Sequence, residues 1–346
     1  MCIRRAIALS FAAFLVAVCT HALPAQSIPG TPLEVPDEPS AKLVLTERLT
    51  IGSLDGEHDA FGRIMDVAQD GRGRIFVADD LQHTVLVFDT TGEFIVRLGR
   101  QGAGPGEFQA PWRLEVGPSD SLFVWDSQQS RILVFTPQLE FARSFAVSPA
   151  WLLNSLKVLP NGSLLASAYA AGDGLTLRVL GRAGGQKVAF GPRASPEGLA
   201  GFEASLLGGT ADVTGSRIVF SRKSPYEIWQ FALDGKALRR CIGDSRWTTQ
   251  PSEVVSDNRR GQSLAWKKYV HSSRIVALND STFINVILDP VRDRRIVDLV
   301  SSECVLLRRT ELKGPTNLLR YRDGVLLAAR TLDYPEVVVY EVRGMR

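Results

Sequence analysis

From Arg74 onward the chain alternates short apolar runs with polar turn clusters. Ile75-Phe76-Val77-Ala78-Asp79 and Thr84-Val85-Leu86-Val87-Phe88-Asp89 are rich in β-branched and aromatic residues. Asp70-Gly71-Arg72-Gly73 and Thr90-Thr91-Gly92 bound them. Such runs are short strands joined by tight turns. The same order returns without a gap. Leu122-Phe123-Val124-Trp125-Asp126, Val134-Phe135 and Glu140-Phe141 repeat Ile75 to Asp79, Val87-Phe88 and Glu93-Phe94 at one offset of 47 residues, the step from Ile75 to Leu122. Three strands per copy, with a fourth at Phe94 to Leu98, match the blade of a β-propeller.

Later copies keep the grammar with less identity. Asn161-Gly162 marks a hairpin before Ser163 to Ala166, and Leu175 to Leu180 supplies another strand of the third copy. In the fourth, Glu227 to Phe231, Asp234-Gly235 and Leu238 to Gly243 echo Val85 to Gly99. The fifth runs from about Arg274 to Arg309. The sixth holds Leu318 to Arg320, Val325 to Ala329 and Val337 to Val342, and then stops one strand short. Leu43 to Gly52 is an isolated strand before the first copy, and it ends like the fourth strand Phe94 to Gly99. The expected fold is therefore all-β: a six-bladed β-propeller whose N-terminal strand completes the last blade and removes two open sheet edges. Ser252 to Ser273 lacks period-2 alternation and is read as a short helix or a long loop between blades.

The series Ala78-Asp79, Val85-Leu86-Val87-Phe88-Asp89, Gly92-Glu93-Phe94 and Leu98-Gly99, followed by Gly102 to Phe108 and Pro111, resembles the NHL-repeat pattern. Gly104-Pro105-Gly106-Glu107-Phe108 is its most specific piece. The likeness is strongest over residues 60 to 145. It implies a six-bladed propeller of the bacterial secreted kind and leaves the activity open. The lyase branch of these propellers uses metal and histidine ligands that have no match here.

The N-terminus adds an address. Arg4-Arg5 and the apolar Ala6 to Val18, closed by Leu23-Pro24-Ala25, form a signal-peptide pattern too short to span a bilayer. The expected organisation is a signal peptide over 1–25, a flexible, proline-rich lead-in over 26–42 and one propeller over 43–346, placed in the periplasm or outside the cell. A retained anchor, or lipid attachment at Cys19, is the competing reading. Losing Arg4 and Arg5 lowers the formal charge from +3 to +1, so nothing suggests a nucleic-acid partner. Cys241 and Cys304 remain in an oxidising compartment, either as a disulfide or as two buried thiols.

Little of the sequence looks catalytic. The glycine run Leu98 to Gly106 leads into Glu-Phe rather than Gly-Lys-Ser/Thr, so it is a linker between blades and not a phosphate loop. Asp79, Asp80, Asp89 and Asp126 recur at strand ends as turn caps. His83 is assigned a structural place. The candidate ligand-binding residues are those where innermost strands begin near a channel mouth: Arg63, Trp112, Arg113, Asn154, Lys268, Tyr269 and Asn317. Their cations and aromatic rings suit an anionic or sugar-like ligand. These residues imply a non-catalytic binding propeller for a protein, peptide or glycan partner, without metal or other cofactor. The alternative is a gluconolactonase-like hydrolase with one divalent metal in the channel, for which Asn154 and Asn317 are the nominated ligands.

Overall fold

The computed structural model describes residues 21–22, 27–148, 152–169, 174–193, 208–244, 256–257, 263–264, 270–290, 292–312 and 314–344. Six antiparallel sheets, each built on four strands in meander order, form the blades. Their innermost strands are Ile64–Gln69, Pro111–Val116, Leu152–Val158, Gly209–Val213, His271–Ala277 and Asn317–Arg322, in blades 1 to 6. No described residue is helical, and no helix is long and apolar enough to cross a membrane.

The strands form where the apolar runs predict them, and the packing explains their composition. In blade 1, Ile75–Asp79 and Thr84–Phe88 are buried at every position, whereas the outermost Phe94–Leu98 alternates. A blade in the ring is covered on both faces, so its middle strands lose the alternation of a one-sided sheet. The core is accordingly divided into six apolar clusters, one at each seam between neighbouring blades. Blades 1 and 2 share Phe76, Phe108, Leu122 and Phe135, for example.

The ring closes with the borrowed strand. Val44–Ile51 lies antiparallel to Pro335–Arg343, in a register running from Val337 opposite Ile51 to Arg343 opposite Val44. Gly99, at φ 72°, ends blade 1, and Phe108 packs where its side chain would be. The glycine run is thus the linker between blades 1 and 2. His83, in a turn of blade 1, donates from Nδ1 to Gln109 O of this linker, 2.6 Å away.

Two features depart from expectation. The lead-in is partly a strap. Thr31–Pro32 pairs parallel with Cys241 and Ile242 on the outer edge of blade 4, and Glu34 bridges to Val305 of blade 5. Leu33 N donates to Ile242 O at 2.7 Å, Glu34 N to Cys304 O and Leu306 N to Glu34 O, both at 2.8 Å. Open edge groups need partners, and an extended segment spaced by prolines supplies them. In the irregular 252–273 stretch, Ser256–Asp257 and Ser263–Leu264 pair antiparallel. Residues 258–262 and 265–269 lie outside those described.

The two cysteines form a disulfide with a Cα–Cα distance of 5.3 Å. Cys241 is in the outer strand of blade 4 and Cys304 in a turn of blade 5, so the bond crosses the seam that the strap also crosses. With a sequence separation of 63, Cys241→Ser with Cys304→Ser should lower stability by about 2–4 kcal/mol, read as the denaturant midpoint. A midpoint equal to wild type would show that the strap alone holds this seam. Deleting residues 43–51 should leave two open edges and yield aggregated protein, checked by light scattering.

Candidate functional site in the central channel

One irregularity recurs around the channel. The pairing of innermost strand with its neighbour slips between Ile64 and Asp66, Pro111 and Arg113, Leu153 and Ser155, Ser272 and Arg274, and Leu318 and Arg320. Blade 4 alone pairs without a slip. Each slip is a β-bulge, which bends a strand and re-aims the next side chain. The residues so placed are Asp66, Arg113, Ser155, Arg274 and Arg320. A single polar residue in an otherwise apolar strand would be costly inside a sheet core; the bulge delivers it to the channel or to the next blade.

These side chains tie the ring from within. Asp66, 0% exposed, accepts from Leu114 N of blade 2 at 3.1 Å and from Arg320 of blade 6 at 3.2 Å. Arg320 also donates to Val67 O at 2.9 Å, to Leu114 O and to Glu115. Lys157 of blade 3 continues the chain to Asp212 of blade 4 at 2.8 Å, and Asp212 accepts from Ala277 N of blade 5 at 2.9 Å. Burial alone would raise the Asp66 carboxyl, but Arg320, Arg274 and Arg113 outweigh it and hold it below the usual range. Burial would likewise depress Arg320, and Glu115 with Asp66 more than offset that. This network fills the channel towards the far mouth, where the innermost strands end and a cavity of about 280 Å³ opens beside Glu115, Lys157, Asp212 and Arg320.

The near mouth, where the innermost strands begin, differs in charge balance. A cavity of about 200 Å³ has Arg113 and Arg274 on its wall with Ser273 and Asn317, and no carboxylate. Arg113 donates only to backbone carbonyls: Asn154 O at 2.8 Å, Trp112 O at 3.0 Å and Met65 O at 3.3 Å. The Arg274 side chain makes no hydrogen bond or ion pair among the described residues. Lys223 is anchored through its backbone within blade 4 and to blade 5, by Lys223 N to Gly208 O at 2.9 Å and Ser272 N to Lys223 O at 3.0 Å. Its ammonium has no described partner either. Burial, then the charge of Arg113, pushes Lys223 down to about 8. Burial and Arg274 push Arg113 down to about 9 against the opposing pull of Asp66, and burial also lowers Arg274. Among the described residues that line the two mouths, Arg113, Lys157, Arg274, Arg320 and Arg322 face Glu115 and Asp212, with Asp66 buried between them.

Of the residues singled out from sequence, Arg113 and Asn317 meet at this cavity. Asn154 is at the bulge of blade 3, and its carbonyl holds Arg113. Trp112 is the bulged residue of blade 2. Its ring lies under the Arg113 guanidinium, 5.6 Å from centroid to Cζ, and packs into the seam with blade 3. Arg63 is bound elsewhere: it pairs with Asp80, with Nε to Oδ1 at 2.7 Å, and its side chain is 56% exposed at the rim. Lys268 and Tyr269 lie outside the described residues. Sequence reasoning passed over Arg274, Lys223 and Arg320. The signal for two of them was present as one charge inside an apolar run, Ser-Ser-Arg-Ile and Leu-Leu-Arg-Tyr, matching Ile-Met-Asp-Val and Pro-Trp-Arg-Leu.

Of the strand-end aspartates, Asp79, Asp89 and Asp126 are caps, whereas the Asp80 carboxylate accepts from the Arg63 guanidinium instead. Asp79 accepts from the amides of Gly62, Arg63, Leu81 and Gln82, and Asp126 from those of Gln109, Ala110 and Gln129. Each fixes the linker into its blade. Among the described residues no three His, Cys, Asp or Glu side chains converge as a metal site.

The two arginines predict opposite stability effects. Arg320→Met leaves Asp66 and Glu115 buried without their cation and should cost about 3–5 kcal/mol. Arg274→Met removes a desolvated charge with no hydrogen bond or ion pair among the described residues, while Arg320 still pairs with Asp66, and should be neutral or stabilising by about 1–2 kcal/mol. Chemical denaturation of both variants at pH 7 reads the difference; equal losses would contradict the charge balance described above.

Comparison with known proteins agrees with this architecture. The DUF5128 family, described as a 6-bladed beta-propeller, matches residues 58–148. No curated protein matches the sequence. Among solved structures, a member of the DUF4221 family from Bacteroides vulgatus is similar over 88% of this chain and 99% of its own, at 12% identity and a TM-score of 0.64. A protein of Bacteroides fragilis described as exported is similar over 91% and 100%, at 12% identity and a TM-score of 0.59. The PQQ-bound aldose sugar dehydrogenase of Streptomyces coelicolor is similar over 88% and 100%, at 13% identity and a TM-score of 0.50. At these identities the likeness concerns the fold, and the chain is a six-bladed β-propeller.

Proposed function

We propose that the protein is a non-catalytic binding propeller working outside the cytoplasm, and that it takes an anionic group of its ligand or partner at the near mouth. Arg274 carries this reading. A largely desolvated guanidinium is costly unless something pairs with it, and it shares a cavity with Arg113 while, among the described residues, neither has a carboxylate within ion-pair reach. Lys223, off the cavity wall, adds a cation within electrostatic reach of Arg113. A rigid ring with a preformed, positively charged cup can bind without rearranging. The disulfide and the apolar N-terminal segment favour an oxidising compartment, and one structural neighbour is itself described as exported.

A metal-dependent hydrolase of the gluconolactonase-like kind fits the near mouth poorly. A divalent ion needs several converging oxygen ligands. The cavity wall offers Asn317 and Ser273 beside two arginines, and Asn317 Oδ1 is 3.3 Å from the Arg295 Nε that donates to it. Positive charge on that wall repels a cation, so the reading calls for no cofactor there.

Inorganic phosphate tests the proposal. It should raise the melting temperature of the wild-type chain at pH 7 through preferential binding to the folded state, and Arg274→Met should abolish the rise. Lys223 contributes only while protonated. Its share of the affinity is present below pH 8 and disappears as the pH rises through 8, by at most about tenfold per unit. Lys223→Met should flatten that dependence. An equal rise in wild type and Arg274→Met would refute anion binding at this mouth.

A further inference from the structure

Building on the near mouth as an anion site, we infer that its occupant is a small organic dianion with a short apolar body, and not the tip of a polymer. Charge, depth and wall composition each lead there. Arg113 and Arg274 both stand on the cavity wall with no carboxylate in ion-pair contact among the described residues, and Asp66, which offsets them only through space, is itself hydrogen-bonded to Arg320 and backbone amides. One negative charge would leave an excess; two come nearer to balance. Planar guanidinium groups also match the paired oxygens of a carboxylate or phosphate.

The cup is shallow. Arg320 crosses the channel from blade 6 to Glu115 and Leu114 O in blade 2, and Lys157 reaches Asp212 beside it. A chain entering at the near mouth meets this layer and cannot thread through. The cavity of about 200 Å³ is below the ~300–1,000 Å³ usual for drug-sized ligands, so it suits a molecule of few heavy atoms.

The wall is two-sided. Ile64, Leu318, Leu319, Val286 and Ala329 line the cavity together with Arg113 and Arg274. A bare inorganic anion would leave that apolar surface facing water. A short carbon body beside the charged head would cover it, gaining roughly 0.8 kcal/mol per buried methylene. A dicarboxylate and a monoalkyl phosphate share this chemistry.

Isothermal titration of the full chain with succinate, butyl phosphate, inorganic phosphate and poly-glutamate separates the cases. Succinate or butyl phosphate should bind once per chain, about tenfold tighter than inorganic phosphate or poly-glutamate, and the tighter of the two names the head. Arg274→Met should remove the binding. Ala329→Leu, which fills the apolar wall, should weaken the bodied anion about tenfold and spare inorganic phosphate; Ala329→Val serves the same purpose should the leucine variant fail to fold. Arg274-dependent binding in which inorganic phosphate or poly-glutamate matches the bodied anions overturns this inference and leaves the anion site standing. So does indifference to both Ala329 variants. No Arg274-dependent binding of any probe removes the anion site itself.

Discussion

Every blade of this ring is apolar on both faces and can bury neither by itself. Ile75–Asp79 and Thr84–Phe88 would each expose a hydrophobic side if a neighbour were missing, and the core exists only as six seams. Burial of roughly 25 cal/mol per Å² of apolar surface is therefore gained cooperatively, and only when the circle is complete. The borrowed strand Val44–Ile51 is what completes it. The strap and the Cys241–Cys304 bond reinforce one seam that is otherwise like the rest. The linker between these two blades is the longest in the chain, which gives that seam the greatest need of a second fastening.

Closing six twisted sheets into a circle brings their innermost strands together around a narrow axis. Polar groups brought there must be paired or wetted. Five bulges, at equivalent places in five strands, turn one polar side chain each toward that axis or the next blade. On the far side the charges neutralise one another through Asp66, Glu115, Lys157, Asp212 and Arg320. On the near side they do not. Structural and functional polarity are thus built from the same repeated defect. Arg320 and Arg274 occupy the same place in their strands, yet among the described residues only the first forms ion pairs with its acidic neighbours.

The architecture was readable because propeller blades repeat, and repetition survives when single residues drift. The ungapped match of Ile75–Asp79 to Leu122–Asp126 located blades 1 and 2. The incomplete last copy, with a spare strand before the first, implied closure. The seam-crossing disulfide was one of two open alternatives, because Cys241 and Cys304 meet only once blades 4 and 5 are docked. The proline-rich lead-in looked unstructured for want of periodicity, yet residues 31–34 are ordered by the edge they cover, and that edge belongs to distant sequence. The channel was harder still. Choosing residues where strands begin found Arg113 and Asn317 but also Arg63, which Asp80 retains at the rim. Bulges move the relevant position inward by one, and a bulge leaves no mark in the period-2 pattern unless the copies are aligned on their lone polar residue.

The pairing of Val44–Ile51 with Pro335–Arg343 also governs how the molecule must be born. A chain made from its amino end displays the locking strand long before its mate exists. Until then one edge of the growing stack stays bare and Val44–Ile51 has nothing to grip. Such long-range contacts slow folding and prolong exposure. Closure of the ring is consequently a late event, and any factor that shields unpaired strands until then would act on nearly the whole protein and not on one blade at a time.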